Sequence, residues 1–259
     1  MTSGTTDPST AAEARLAMRR NEWVGITTHR MPGWVQCNLV VLPQADAYDF
    51  LVYCHRNPKP CPLIEVTEPG DPEPKQTAPG ADLRTDLTRY AVYRNGTLAE
   101  EVTDIRSLWQ QDSVGFLIGS SLTFDEALVR AGIPRSQVWV LKTTLPTVKA
   151  GRFAGPLIVT MRWMTPEQAV VATQLTSRFH RTHGAPIHLG DPAEIGADLQ
   201  APLYGPAVDE IPSGVMPVFW ACGVTPQFAA LESKVPQMIT HVSGYAFLTD
   251  LRADQICTP

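Results

Sequence analysis

No stretch constrains the fold of this chain more than Pro217 to Gln227, PVFWACGVTPQ. Val218, Phe219, Trp220 and Ala221 form an apolar, largely β-favouring run that meets Cys222, breaks at Gly223 and stops again at Thr225-Pro226. A short apolar run closed by Gly and Pro predicts a buried strand ending in a tight loop. In α/β proteins ligands gather beyond the C-terminal ends of strands, which would put Cys222 at the lip of a pocket. The other reading is a core cysteine acting as a small hydrophobe.

With 259 residues, 44% of them hydrophobic, the chain can bury an ordinary core without staples. Its five cysteines (Cys37, Cys54, Cys61, Cys222, Cys257) are an odd set without a CxxC pair, which speaks against a zinc knuckle and against a disulfide framework. We read them as reduced thiols of a cytoplasmic protein. A net charge of -5, with the basic residues mostly single, argues against a nucleic-acid partner. The first twenty residues carry acids among the bases and no apolar block, so neither a secretory signal nor a membrane partner is expected.

In chain order, residues up to about Thr10 are expected to fray, and a helix follows from Pro8 to Arg20 with Ser9 as its cap. VQCNLVVLP alternates as a strand, with Gln36 and Asn38 on one face and Val35, Cys37 and Leu39 on the other. Polar amides in an apolar strand need partners, from a neighbouring backbone or from a ligand. A helix or helical turn over QADAYDFLVYCHRN leads into the segment Cys54 to Pro62, a stiff, polar loop carrying two bases and two thiols. TEPGDPEPKQTAPG reads as a surface loop. Tyr90 to Tyr93, Asn95-Gly96 and Leu98 to Val102 predict a hairpin.

Val114 to Ser121 is either a buried strand or a buried helix face. Thr123 with Glu126 matches a capping box for DEALVRAG, and strands are expected at Val138 to Lys142 and Leu157 to Met161. A helix opening at Thr165-Pro166 should run to about Thr182, leaving His180 and His183 as solvated cations at its end. His188 lies three residues before Asp191 at a strand end, the spacing of a candidate base and its orienting acid. His241 closes a strand from Met238, ahead of Gly244 and a last strand from Tyr245 to Asp250.

The blocks MPGWVQCNLVVLP, DFLVYCHRNPKPCPL, DLRTDLTRYAVYRNG, FLIGSSLTFDEAL, AGRFAGPLIVTMR, GAPIHLGDP, PVFWACGVTPQ and ITHVSGYAFLTDL together resemble, in order, the bacterial hydro-lyase family. That family also includes the D-glutamate cyclase domain of animal mitochondria. The resemblance runs from about Arg30 to Asp250. It implies an α/β fold, a three-layer αβα sandwich with a smaller α+β lobe. The whole chain, 1–259, would be one catalytic unit of two interleaved lobes, the smaller near 81–160. It implies a lyase that removes water, and the mitochondrial relative turns D-glutamate into 5-oxo-D-proline. Where the family commonly carries a cysteine this chain has Ser120, so a mechanism needing a thiol there is not carried over.

Closing glutamate on its own side chain needs positive charge on a carboxylate, a base for the ammonium and an acid for the departing oxygen. Arg30, Arg56 and Arg84 are the carboxylate-binding candidates, with Asn38, Asn57 and Thr225 beside them. His188 and His241 are the acid/base candidates, Asp191 the orienting group, and Cys222 a nucleophile or packing. A divalent cation, Mn2+ or Mg2+, on Asp82, Asp86 or Asp191 fits the chemistry, although no ligand spacing demands one. The expected partner is a small carboxylate or amino acid, with a homo-oligomer left open. The alternative is a non-catalytic binding protein for small carboxylate metabolites, which needs the arginines but not the histidines.

Overall fold

The computed structural model describes residues 8–258. The expected fraying up to Thr10 falls largely on residues outside that range. Helix α1 (Ala11–Arg19) is capped by Thr10, not Ser9: the Thr10 hydroxyl accepts from the Glu13 N–H, while the Glu13 carboxylate takes up the N–H groups of both Ser9 and Thr10. Strand β1 (Trp34–Pro43) leads directly into α2 (Gln44–Arg56), and β2 (Leu63–Val66) follows the proline loop. Next come the hairpin β3 (Tyr90–Arg94) and β4 (Thr97–Val102), then β5 (Ser113–Gly119). Asn95 and Gly96, with φ of 50° and 81°, are both left-handed, as a two-residue hairpin turn requires. The ambiguous run from Val114 is therefore a strand, and it is buried along its length.

Helix α3 (Asp125–Arg130) lacks the expected capping box. Thr123 instead accepts the Gln36 N–H at 3.2 Å, and Glu126 turns outward to Arg130 and Arg135. Strands β6 (Trp139–Pro146) and β7 (Pro156–Met164) precede α4 (Pro166–Thr176), which has a true capping box from Thr165 and Gln168 but ends six residues before Thr182. The chain closes through β8 (His188–Leu189), β9 (Met216–Ala221), α5 (Val224–Glu232), β10 (Gln237–His241) and β11 (Phe247–Arg252). The tight loop expected after Cys222 is thus a helix, with Pro226 in its first turn, where a missing N–H costs nothing.

Two sheets form, so the mixed α/β class stands. The larger runs β2-β5-β1-β10-β3-β4, with β11 paired to the first half of β1, and the smaller runs β6-β7-β9-β8. The smaller sheet is drawn from 139–221, between β5 and β10 of the larger one. Every pairing among the described strands is antiparallel, so the parallel-sheet rule that placed Cys222 at a pocket lip does not apply.

Alternation along β1 divides the interior. Val35, Cys37, Leu39 and Val41 enter one core, whereas Val40 and Leu42 enter another with α2, where Phe50 meets Phe116 and Phe153 edge-on at 4.9 and 5.2 Å. Gln36 and Asn38 share the face of Val40 and Leu42 but lie beyond that core, and Asn38 packs on Gly223 at the start of α5. The loop from Thr67 to Gly80 is tied down by Glu65, whose carboxylate accepts from the N–H groups of Gln76 and Thr77, and Ala78 is fully buried.

Candidate functional site

Where β9 turns into α5, four remote segments meet. Alternation puts Ile158, Thr160 and Arg162 on one face of β7 and Val218, Trp220 and Cys222 on the same face of the β9 segment, with Thr160 opposite Trp220 in the ladder. The Cys222 N–H donates to the Ile158 carbonyl at 3.0 Å, which fixes the thiol at the opening of α5. Opposite, the Asn38 carboxamide packs on Gly223, and the next residue, Leu39, donates its N–H to His241 Nδ1 at 3.2 Å. Gln227 of α5 lies 3.3 Å from the same Nδ1. Asn38, Cys222 and His241 are thereby brought to one buried locus.

Its electrostatics are neutral. Burial pushes the Cys222 thiol up to about 11, although the Val224 N–H bonds the sulfur and draws it the other way. Burial likewise holds the His241 imidazole down at about 4. Because Nδ1 accepts the Leu39 N–H, the neutral ring carries its proton on Nε2 and offers a donor there. His241 so held is a hydrogen-bond donor rather than a base.

The positive charge comes from a residue that sequence reasoning passed over. Arg162, buried on β7, donates through Nη2 to Asp125 Oδ1 at 2.6 Å and lies 5.9 Å from the Trp220 ring. Asp125 is in turn 3.6 Å from the half-exposed His29. Four residues at about 3.3 Å each set the Arg162 position about 13 Å from that of Ile158, with Thr160 midway. The signal for Arg162 was the alternation of PLIVTMR, which puts Thr160 and Arg162 on one face of an otherwise apolar strand. Ser120 borders the seam too: its N–H donates to the Gln36 carbonyl at 3.0 Å and its hydroxyl caps the following turn.

The remaining candidates lie elsewhere or are engaged in structure. Thr225 Oγ1 accepts the Ile158 N–H and donates to the Ile158 carbonyl, both at 3.1 Å, which locks α5 to β7. Arg56 donates to the Lys149 carbonyl at 2.6 Å, and Asn57 bridges Tyr53 and Val148. Arg30 lies over the Trp23 ring at 4.9 Å. Arg84 is paired with Asp82, and Asp86 with Arg19, so neither carboxylate faces an open coordination site. His188 Nε2 meets the Asp191 backbone carbonyl at 2.8 Å, while the Asp191 carboxylate accepts the Ala193 N–H; the expected imidazole–carboxylate pairing does not form. His183 is no solvated cation: it is buried in a left-handed turn, its Nδ1 lies 3.0 Å from the Lys59 carbonyl, and burial holds it down at about 4. A separate cleft of about 240 Å³ opens beside the proline loop, lined by Cys54, His55, Cys61, His180 and Arg181 among others. Among the described residues no group of three His, Cys, Asp or Glu is arranged to hold a metal ion, and no helix is long and apolar enough to cross a membrane.

Two antiparallel sheets that meet across a buried polar seam make this a mixed α/β protein. The family model described as D-glutamate cyclase matches residues 114–250. A protein of Geobacillus kaustophilus is 54% identical over 256 residues, covering 96% of this chain and 97% of its own. One from Bacillus licheniformis is 49% identical over 250 residues (94% and 95%), and one from Stutzerimonas stutzeri 46% over 252 residues (95% of each). All three bear the provisional name hydro-lyase. The chain belongs to the D-glutamate cyclase family of hydro-lyases.

Proposed function

We propose that this protein removes water from a small amino or carboxylic acid, and that cyclisation of D-glutamate to 5-oxo-D-proline is the reaction its seam suits best. In that reaction the amine nitrogen bonds to the distal carboxyl carbon, one C–O bond breaks, and the ammonium's two surplus protons leave with the oxygen as water. A carboxylate resists attack unless its oxygens meet donors or positive charge. The observation that carries the reading is the buried Arg162 guanidinium on the strand face that also leads to Cys222 and, across the seam, to Asn38 and the Nε2–H of His241.

Arg162 takes one carboxylate of the substrate through guanidinium donors not spent on Asp125. His241 Nε2–H and the Asn38 amide stabilise charge on the oxygen that departs. Cys222, held as a thiol, supplies a weak donor and shape and not a nucleophile at neutral pH. Arg56, Arg84, His188 and Asp191 take no part, and Asp82 and Asp86, already matched by arginines, give a divalent cation no ready seat.

Incubation with D- and L-glutamate, with and without Mn2+ or Mg2+, followed by mass spectrometry, tests this directly. Loss of one water from one enantiomer, abolished in His241→Ala and Arg162→Met, is the expected result. Binding of glutamate without turnover under every condition would instead favour a carboxylate-binding protein.

A further inference from the structure

Two buried side-chain atoms at the seam have no hydrogen-bond partner: Gln36 Oε1 on β1 and Thr160 Oγ1 on β7. The third such atom among the described residues, Trp23 Nε1, belongs to the cluster packed around α1. An orphaned buried polar atom has given up its bond to water and received none in return, so folded proteins keep few of them without a use. The link between them runs through Thr123, which accepts the Gln36 N–H: its neighbour Phe124 has its ring centroid 6.3 Å from that of Trp220, the ladder partner of Thr160. Gln36 shares its face of β1 with Asn38, which touches Gly223; Thr160 lies between Ile158, the ladder partner of the Cys222 position, and Arg162.

Gln36 is also fixed in place. Its N–H donates to Thr123 Oγ1 at 3.2 Å and its carbonyl accepts the Ser120 N–H at 3.0 Å, so the backbone is clamped while Oε1 stays unpaired. The buried Asp125 carboxylate, two residues beyond Thr123, is already bound to Arg162. An amino group entering the seam would therefore meet neutral acceptors and no free carboxylate, and desolvation without a counter-charge favours the uncharged amine. That is the form ring closure needs.

We infer that Gln36 seats the substrate's amino group, accepting a hydrogen bond through Oε1 with the Thr160 hydroxyl as second contact, so that the seam selects α-amino acids over their deaminated counterparts. A neutral amide there holds the amine without fixing it as ammonium, as a carboxylate would. Gln36 is thus a specificity-determining residue for the cyclisation proposed above, on which the catalytic part of this inference rests.

The test is calorimetric titration of D-glutamate and of glutarate into wild-type protein, Gln36→Met and Gln36→Glu, with turnover measured in parallel. Wild type should prefer the amino acid by about tenfold or more, the worth of one buried hydrogen bond. Gln36→Met should lose that preference while binding glutarate as before. Gln36→Glu should bind the amino acid more tightly at neutral pH yet turn it over more slowly, with its kcat profile displaced to higher pH. A folded Gln36→Met that keeps the preference overturns the inference, as does a wild type that binds both ligands equally. Should Gln36→Met fail to fold, Thr160→Val replaces it under the same criteria. Amine-dependent binding that Gln36→Met abolishes, without loss of water from any substrate, overturns the lyase reading and leaves the seat for the amine standing; binding of neither ligand overturns both.

Discussion

The Asn38 carboxamide rests on Gly223: a Cβ placed on Gly223 would come within 1.9 Å of Asn38 Nδ2. Gly223 has a φ of -64°, a conformation open to any residue, so the glycine is required by this contact and not by its backbone. The contact joins the larger sheet to the start of α5 and sets Cys222 beside Asn38.

Gly223→Ala should accordingly destabilise the fold by about 1–3 kcal/mol, the usual penalty for forcing a methyl into a packed site. Adding Asn38→Ala should restore most of that stability while activity stays low. Urea denaturation of the single and double variants reads the first effect, and an assay on D-glutamate the second. Additive losses in the double variant would mean that the contact is not what excludes the methyl.

His241, held near 4 by burial, stays neutral across the physiological range. The kcat/KM profile should therefore show no limb near the ordinary histidine value of about 6.5 that disappears in His241→Gln. Finding such a limb would return His241 to the role of general base.

Asp125 and Arg162 form a buried pair at 2.6 Å. Asp125→Asn leaves the guanidinium without its counter-charge and should cost about 3–5 kcal/mol. Arg162→Lys keeps the charge but loses the planar fork, so it should raise KM more than it lowers stability. Equal effects of Arg162→Lys on folding and on KM would argue that the pair is structural alone.

Acid should weaken the protein through two buried histidines. His183 and His241 are both held at about 4, so below the unfolded value of about 6.5 the unfolded chain binds protons that the folded chain refuses. Stability is then whole above about pH 6.5 and is lost as pH falls toward 4, by on the order of 3 kcal/mol per histidine. Denaturant midpoints between pH 4 and 8 should show this slope, and His183→Gln should flatten part of it. A midpoint constant from pH 7 to 5 would contradict the burial of both rings.

Local rules made much of the architecture legible in the sequence. Period-two alternation marks β1, short apolar runs mark β7 and β10, the Asn95-Gly96 dipeptide marks its hairpin, and Thr165-Pro166 marks the start of α4. Each depends only on neighbours a few residues away. Cys222, His241 and Asn38 stood out for the same reason, being polar or reactive groups in or at the ends of apolar runs.

What the tertiary structure alone decided is which of them meet. His188, Arg56 and Arg84 satisfied the same local criteria, yet their groups are engaged by a backbone carbonyl or a nearby aspartate. Thr123 matched a capping box and was taken by Gln36 instead, and Arg162 joined the seam because the smaller sheet is inserted between β5 and β10 of the larger one. Alternation determines the face a side chain points from; the crossing of two sheets determines what lies opposite. That second fact depends on residues far apart in sequence and is written in no single stretch of the chain.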